Sequence, residues 1–222
     1  MWRLKVLLGL YACLVVLMLF RFKVVVAGPF GAGKTTFIKA VSDSSPLLSE
    51  AQLRQGGSTT VAFDLGQVRL TPRILLLLFG APGQRRFRYM WGQLADGMDA
   101  LLLLVDSTDV ESWPEAKVIY RFFSSAGDIP TVICANKQDL PGAYPPEKVA
   151  EAIELRGAPV LPLIAYDRAS ARCALRKLVE SLYQHLVETL EGRRRHPSAY
   201  RRLRRLTREA IVELGVGARE KA

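Results

Sequence analysis

Residues 28–35 read Gly28, Pro29, Phe30, Gly31, Ala32, Gly33, Lys34 and Thr35, with Thr36 following. Glycines at both ends of such a run, then a lysine and a hydroxyl, are what a phosphate-wrapping loop requires. The glycines let backbone N–H groups turn inward around a phosphate, and a helix starting beside Gly33 points its positive end at the same place. Lys34 adds a point charge for the terminal phosphates, and the Thr35 hydroxyl is a ligand for Mg²⁺. A second cluster, Asn136, Lys137, Gln138 and Asp139, follows the apolar run 130–135. A carboxylate at Asp139 accepts from guanine N1–H and the 2-amino group together. Adenine lacks that pair of donors, so discrimination comes from groups left unpaired. Asn136 is expected at the other edge of the base and the Lys137 stem over its face. Together the clusters imply a guanine nucleotide with Mg²⁺.

These loops need elements to hold them. Residues 22–27 are a β-branched strand running into the first loop, and 33–40 read as the helix after it. A polar, Ser-rich segment covers 42–60. Residues 61–70 alternate as a strand, and 74–79 are continuously apolar after Pro72. Buried strands are expected at 99–105 and 130–135, with a helix near 111–125 between them. A last strand at 160–165 and a long closing helix at 169–190 complete the series. Strands apolar throughout and separated by helices give an α/β fold, a doubly wound, mostly parallel sheet covered on both faces.

The order of these motifs over 22–191 resembles the Ras superfamily of small GTPases. The run from Pro29 to Phe37, the segment from Thr59 and Thr60 to Asp64, and Phe79 to Phe87 are most similar to a prokaryotic branch. That branch includes the actinobacterial conservon GTPases and the bacterial gliding-motility GTPases. Val105, Asp106 and Ser107, with 136–139, also look Arf-like. The resemblance implies a nucleotide at the strands' C-terminal edge. It makes Thr60 the switch threonine that senses Mg²⁺ and the γ-phosphate, with Thr59 as its neighbouring contender. It makes Gly83 the glycine whose N–H meets that phosphate, and Gln84 the residue that orients the attacking water. Ala165 takes the place of an alanine whose N–H faces the guanine carbonyl, although Ile164 and Tyr166 depart from the usual Ser-Ala-Lys. Catalysis would then rest on Gln84, Lys34 and Thr60, and metal binding on Thr35 and Thr60.

One departure concerns the metal. Gly80 stands where the superfamily carries an aspartate that holds Mg²⁺ through water. Weaker Mg²⁺ and slower turnover are expected, with Asp64 and Asp106 as candidate substitutes. Arg85, Arg86 and Arg88 interleave with Phe87, Tyr89 and Trp91. They suit a partner-docking surface, or an arginine finger in cis. The implied function is a switch that hydrolyses GTP to GDP slowly and is completed by a partner, for which the resemblance suggests a Roadblock-type dimer. The alternative is a scaffold that holds nucleotide with little hydrolysis.

Of the net charge of +10, the last thirty residues, 193–222, carry +7. A basic tail of this kind points to an anionic surface. No RNA-binding pattern accompanies it, so a membrane is expected rather than nucleic acid. Tyr200, Leu203, Leu206, Ala210 and Leu214 recur at helical spacing among the arginines. This reads as a basic amphipathic helix, with a solvated tail as the alternative. Residues 6–20 carry no charge and have basic residues on both sides. As a helix they would span ~22 Å, short of the ~30 Å hydrocarbon core unless interfacial side chains extend it. A membrane anchor is the preferred reading, before a buried or dimer-forming helix, a mistaken start site or a cleaved leader. The expected organisation is therefore an anchor at 1–21, a nucleotide-binding domain at 22–191 on the cytosolic face, and a basic tail at 192–222. Cys13, Cys134 and Cys173 form neither a disulfide framework nor a metal pattern, and His185 and His196 have no partner at ligand spacing.

Overall fold

A computed structural model describes residues 20–43, 47–52, 60–154 and 157–193. The element order is β1 (Phe20–Ala27), α1 (Lys34–Val41), β2 (Leu47–Gln52), β3 (Thr60–Thr71), β4 (Ile74–Gly80), α2 (Trp91–Ala95), β5 (Ala100–Asp106), α3 (Trp113–Ser124), β6 (Thr131–Asn136), α4 (Pro146–Ile153), β7 (Val160–Leu163) and α5 (Arg168–Arg193). The seven strands lie in one sheet in the order β2-β3-β4-β1-β5-β6-β7. Pairings from β4 through β1, β5 and β6 to β7 are parallel, while β2–β3 and β3–β4 are antiparallel.

Alternation along the central strands sends side chains to two cores. Val24 and Val26 of β1, with Leu102 and Leu104 of β5, pack against Phe37 and Ile38 of α1 and Leu175 and Leu178 of α5. Val25, Leu101 and Leu103 face the other way, onto Trp91, Phe123 of α3 and Val149 of α4. Each strand is thus buried on both faces, which is why its sequence is apolar without interruption. Helices leave β1 and β4 toward opposite faces of the sheet. The crevice between those strand ends is where such sheets bind ligands.

Three boundaries differ from the sequence reading. β1 begins at Phe20, which pairs with Ile74 and donates its N–H to the Arg73 carbonyl at 2.7 Å. Phe20 and Arg21 therefore belong to the sheet and not to the hydrophobic segment assigned to 1–21. The polar segment 42–60 contains β2, an edge strand paired only with β3. α5 continues through Gly192 to Arg193, past the expected break. The anchor and most of the basic tail lie outside the described residues. Among the described residues no helix is long and apolar enough to cross a membrane.

Candidate functional site

The loop after β1 has the backbone that its glycines permit. Gly28, Gly31 and Gly33 all have positive φ, at 147°, 79° and 96°. A Cβ on Gly28 would stand 2.2 Å from the Leu104 carbonyl oxygen, and one on Gly33 2.3 Å from Asn136 Nδ2. Only glycine fits at either place. Lys34 opens α1 and folds back into the loop, its ammonium donating to the carbonyls of Gly28 at 2.9 Å and Pro29 at 2.6 Å. Burial pushes its pKa down to about 8, against the opposing pull of the Asp64 and Glu115 carboxylates. A partly desolvated cation among backbone carbonyls is poised for an anion of higher charge.

A cleft of about 450 Å³ opens beside this loop, lined by Phe30, Gly31, Gly33, Lys34, Thr35, Thr36, Asp64 and the segment from Gly80 to Gln84. Gly83 is pressed onto the phosphate loop: a Cβ there would lie 2.6 Å from the Phe30 nitrogen. Gln84 stands at the start of a short 3-10 helix (Arg85–Met90), and its Oε1 accepts from Arg86 Nε at 2.8 Å. Arg88 reaches Glu115 of α3 at 3.2 Å and stacks on Trp91, and Arg86 lies over Phe87. Arg88 is thus engaged on α3 and Trp91, whereas Arg86 stays at the cleft rim with Gln84 and Phe87. Tyr89 is 57% exposed beside them.

The base end is built by the loops after β6 and β7. Lys137 takes a positive φ of 67° and pairs its ammonium with the buried Asp106 carboxylate. Burial opposes ionisation of Asp106, but hydrogen bonds from Lys137 and from the Thr108 side chain and backbone outweigh it, and its pKa lies below the usual carboxylate value. Asp106 is therefore occupied at the base end and does not substitute for a carboxylate at Gly80. Asn136 is 2% exposed. Its Nδ2 donates to the Ala32 carbonyl and its Oδ1 accepts from the Ala165 N–H, both at 2.9 Å. It was expected at a base edge, and so was the Ala165 N–H. Here the two bond to each other, and the Asn136 amide ties the phosphate loop to the loop after β7. Asp139 is exposed, and its Oδ2 accepts from the Tyr166 hydroxyl at 3.0 Å. That bond raises the Tyr166 pKa.

Thr60 is not brought to Thr35. It opens β3, paired with Gln52 of β2, four residues and roughly 13 Å along the strand from Asp64. Thr59 lies outside the described residues. Sequence reasoning underrated Asp64: its Oδ2 accepts from the Thr35 hydroxyl at 2.5 Å. The signal available was its spacing from Thr60, which says nothing of β4 until the sheet is assembled. Among the described residues no three His, Cys, Asp or Glu side chains are grouped to hold a metal. The donor set at Thr35 and Asp64 is hard oxygen in small number. It fits Mg²⁺, which keeps its waters and takes phosphate oxygens besides one or two protein ligands.

Residues 13–185 match the model of the ADP-ribosylation factor family. ADP-ribosylation factor-like protein 10 of Mus musculus is 33% identical over 54% of this chain and 47% of its own length. ADP-ribosylation factor-like protein 4D of Homo sapiens is 27% identical over 77% of this chain and 86% of its own. The fold matches the Arl6 BBS3 small GTPase of Trypanosoma brucei, solved with the nucleotide analogue GppNp. The TM-score is 0.59 at 22% identity, over 74% of this chain and 99% of that one. With a family match across more than half its length on a phosphate loop, a guanine-type loop and a doubly wound sheet, the chain belongs to the ADP-ribosylation factor family of small GTPases.

Proposed function

We propose that this GTP-binding switch hydrolyses GTP slowly on its own and is completed by a partner that docks on the Gln84 loop. The observation that carries the reading is Gln84 itself. It lines the phosphate cleft, yet its amide oxygen is held by Arg86. Orienting a water for in-line attack requires that amide to be re-aimed, and a partner competing for Arg86 would release it. Thr60 gives the second moving part. To reach the metal it must leave the β2–β3 ladder, so a γ-phosphate would be sensed by unpairing the sheet's edge. The exposed Tyr89 beside Arg85 and Arg86 suits a protein surface, for which a Roadblock-type dimer is the candidate.

We infer a finer kinship with conservon-type and gliding-motility-type proteins from the runs 29–37, 59–64 and 79–87 of the sequence. The second reading, a nucleotide-holding scaffold, is favoured only by the missing carboxylate at Gly80. Localisation at the cytosolic face of a membrane belongs to the same proposal. It is supported by the apolar run that feeds β1 directly and by the basic charge beyond α5.

Competition binding and single-turnover hydrolysis test the reading. GDP and GTP should displace a fluorescent guanine nucleotide while ATP does not, and Asp139→Asn should shift preference toward xanthine nucleotides. Gln84→Leu should lower the partner-stimulated rate at least roughly tenfold. Equal displacement by ATP would remove guanine specificity, and hydrolysis absent even with partner would favour the scaffold.

A further inference from the structure

We infer that the carboxylate serving the metal has moved from β4 to β3: Asp64 takes the outer-shell role that Gly80 cannot, and the two positions exclude one another. The inference rests on the functional reading above and specifies its metal site. Leu65 pairs with Phe79 across the antiparallel β3–β4 ladder, which sets Asp64 beside Gly80. From there the Asp64 carboxylate reaches over the glycine to the cleft, where Oδ2 accepts the Thr35 hydroxyl proton at 2.5 Å. With that proton directed at Asp64, Thr35 Oγ1 keeps a lone pair free for a cation. A carboxylate at this place fixes the ligand hydroxyl and adds the negative charge that the metal's water shell needs.

The exclusion is steric. A Cβ on Gly80 would lie 3.1 Å from Asp64 Cβ, 3.1 Å from Ile38 Cδ1 and 3.4 Å from the Asp64 carbonyl oxygen. The 3.4 Å contact is ordinary van der Waals distance and the tip of Ile38 need shift only by a few tenths of an ångström, so the Asp64 side chain itself is the obstacle. A second carboxylate beside Asp64 would also set like charges side by side. The glycine is therefore the space into which the β3 aspartate is packed. Adding an aspartate there is expected to harm the site, contrary to the simple expectation that it would restore metal affinity. The other acidic candidate, Asp106, is spent on Lys137 and Thr108.

The experiment is Mg²⁺ titration of the release rate of a fluorescent GDP from the full chain. Asp64→Asn, which keeps the side chain's shape, should raise the Mg²⁺ concentration at half-maximal retention by roughly 10–100-fold. Gly80→Asp alone should fail to lower it. The double variant Asp64→Gly with Gly80→Asp should return it to within roughly threefold of the parent, because a carboxylate is again present and its space has been vacated. Recovery in the double variant separates a metal role from simple loss of fold, as does thermal melting of each variant. An unchanged Mg²⁺ midpoint in Asp64→Asn, or a tighter one in Gly80→Asp alone, would overturn the inference while guanine binding stands. If the parent binds no guanine nucleotide, the functional reading falls and this inference with it.

Discussion

Lys34 is a half-buried cation whose nearest acceptors are carbonyls of its own loop. Because desolvation holds its pKa near 8, the free protein has begun to lose that charge in mildly alkaline solution. A phosphate in the loop favours the charged form and raises the pKa again, so binding takes up a proton in the window above pH 8. Nucleotide affinity is expected to fall as pH rises through that window, by up to roughly tenfold per unit until the bound-state pKa is passed. Without nucleotide the sign is opposite for stability. The buried charge is a burden at and below pH 8, and the folded state should gain as pH rises from there toward the ordinary lysine value. Calorimetry in two buffers of different ionisation enthalpy should show proton uptake near pH 9, abolished by Lys34→Met. Uptake unchanged in that variant would assign the proton elsewhere. The phosphate loop was legible from residues alone because its chemistry is contiguous in the chain. The place of Asp64 was not, because it depends on the register of two strands.

At the scale of elements, Asn136 joins loops that are far apart in sequence. Its amide spans the loop after β1 and the loop after β7, and both of its bonds are buried. Asn136→Ala should cost roughly 2–4 kcal/mol, since it leaves the Ala32 carbonyl and the Ala165 N–H without partners. Thermal unfolding should drop by roughly 5–15 °C, and guanine affinity should fall with it as the loops separate. A variant that loses affinity at unchanged melting temperature would instead make Asn136 a direct base contact. Elements escaped the sequence reading where their signal was short or one-sided. β2 offers only Leu47 and Leu48 before polar residues, and its pairing with β3 defines it better than its pattern does. α4 has two apolar anchors, Val149 and Ile153, one turn apart after Pro145 and Pro146, too few to establish a period. The central strands were legible because burial on both faces leaves one kind of residue to write them with.

For the whole molecule, the start of β1 and the last turns of α5 lie at the same pole. Phe22 shares a small apolar groove with Val179, Leu182 and Leu186, away from the phosphate loop at the strand's other end. If the segment before β1 is an anchor, both it and the basic tail leave toward the bilayer while the nucleotide faces outward. The cut that tests this must fall before Phe20, since a deletion reaching residue 20 removes a paired strand residue. Lacking residues 1–19, the protein should fold, bind guanine nucleotide and adhere to anionic vesicles at low salt. It should detach near physiological salt, where exposed charges are screened within about 8 Å. The full chain should resist both salt and carbonate. Release of the full chain by salt alone would make the segment a buried helix instead.

The position of β1 has a mechanical consequence. It is flanked along its length by β4 and, toward its C-terminal half, by β5, both parallel to it. If the segment before β1 is an anchor, a pull on it would load those ladders in shear, so their bonds would share the force and yield together. An edge strand such as β2 would instead unzip one bond at a time. Ala27 ends the loaded strand and Gly28 begins the phosphate loop, with no hinge between them. Yet the ladders would take up the tension before it reached the nucleotide's cradle, and a tethered copy under load would hold its ligand in an undistorted loop.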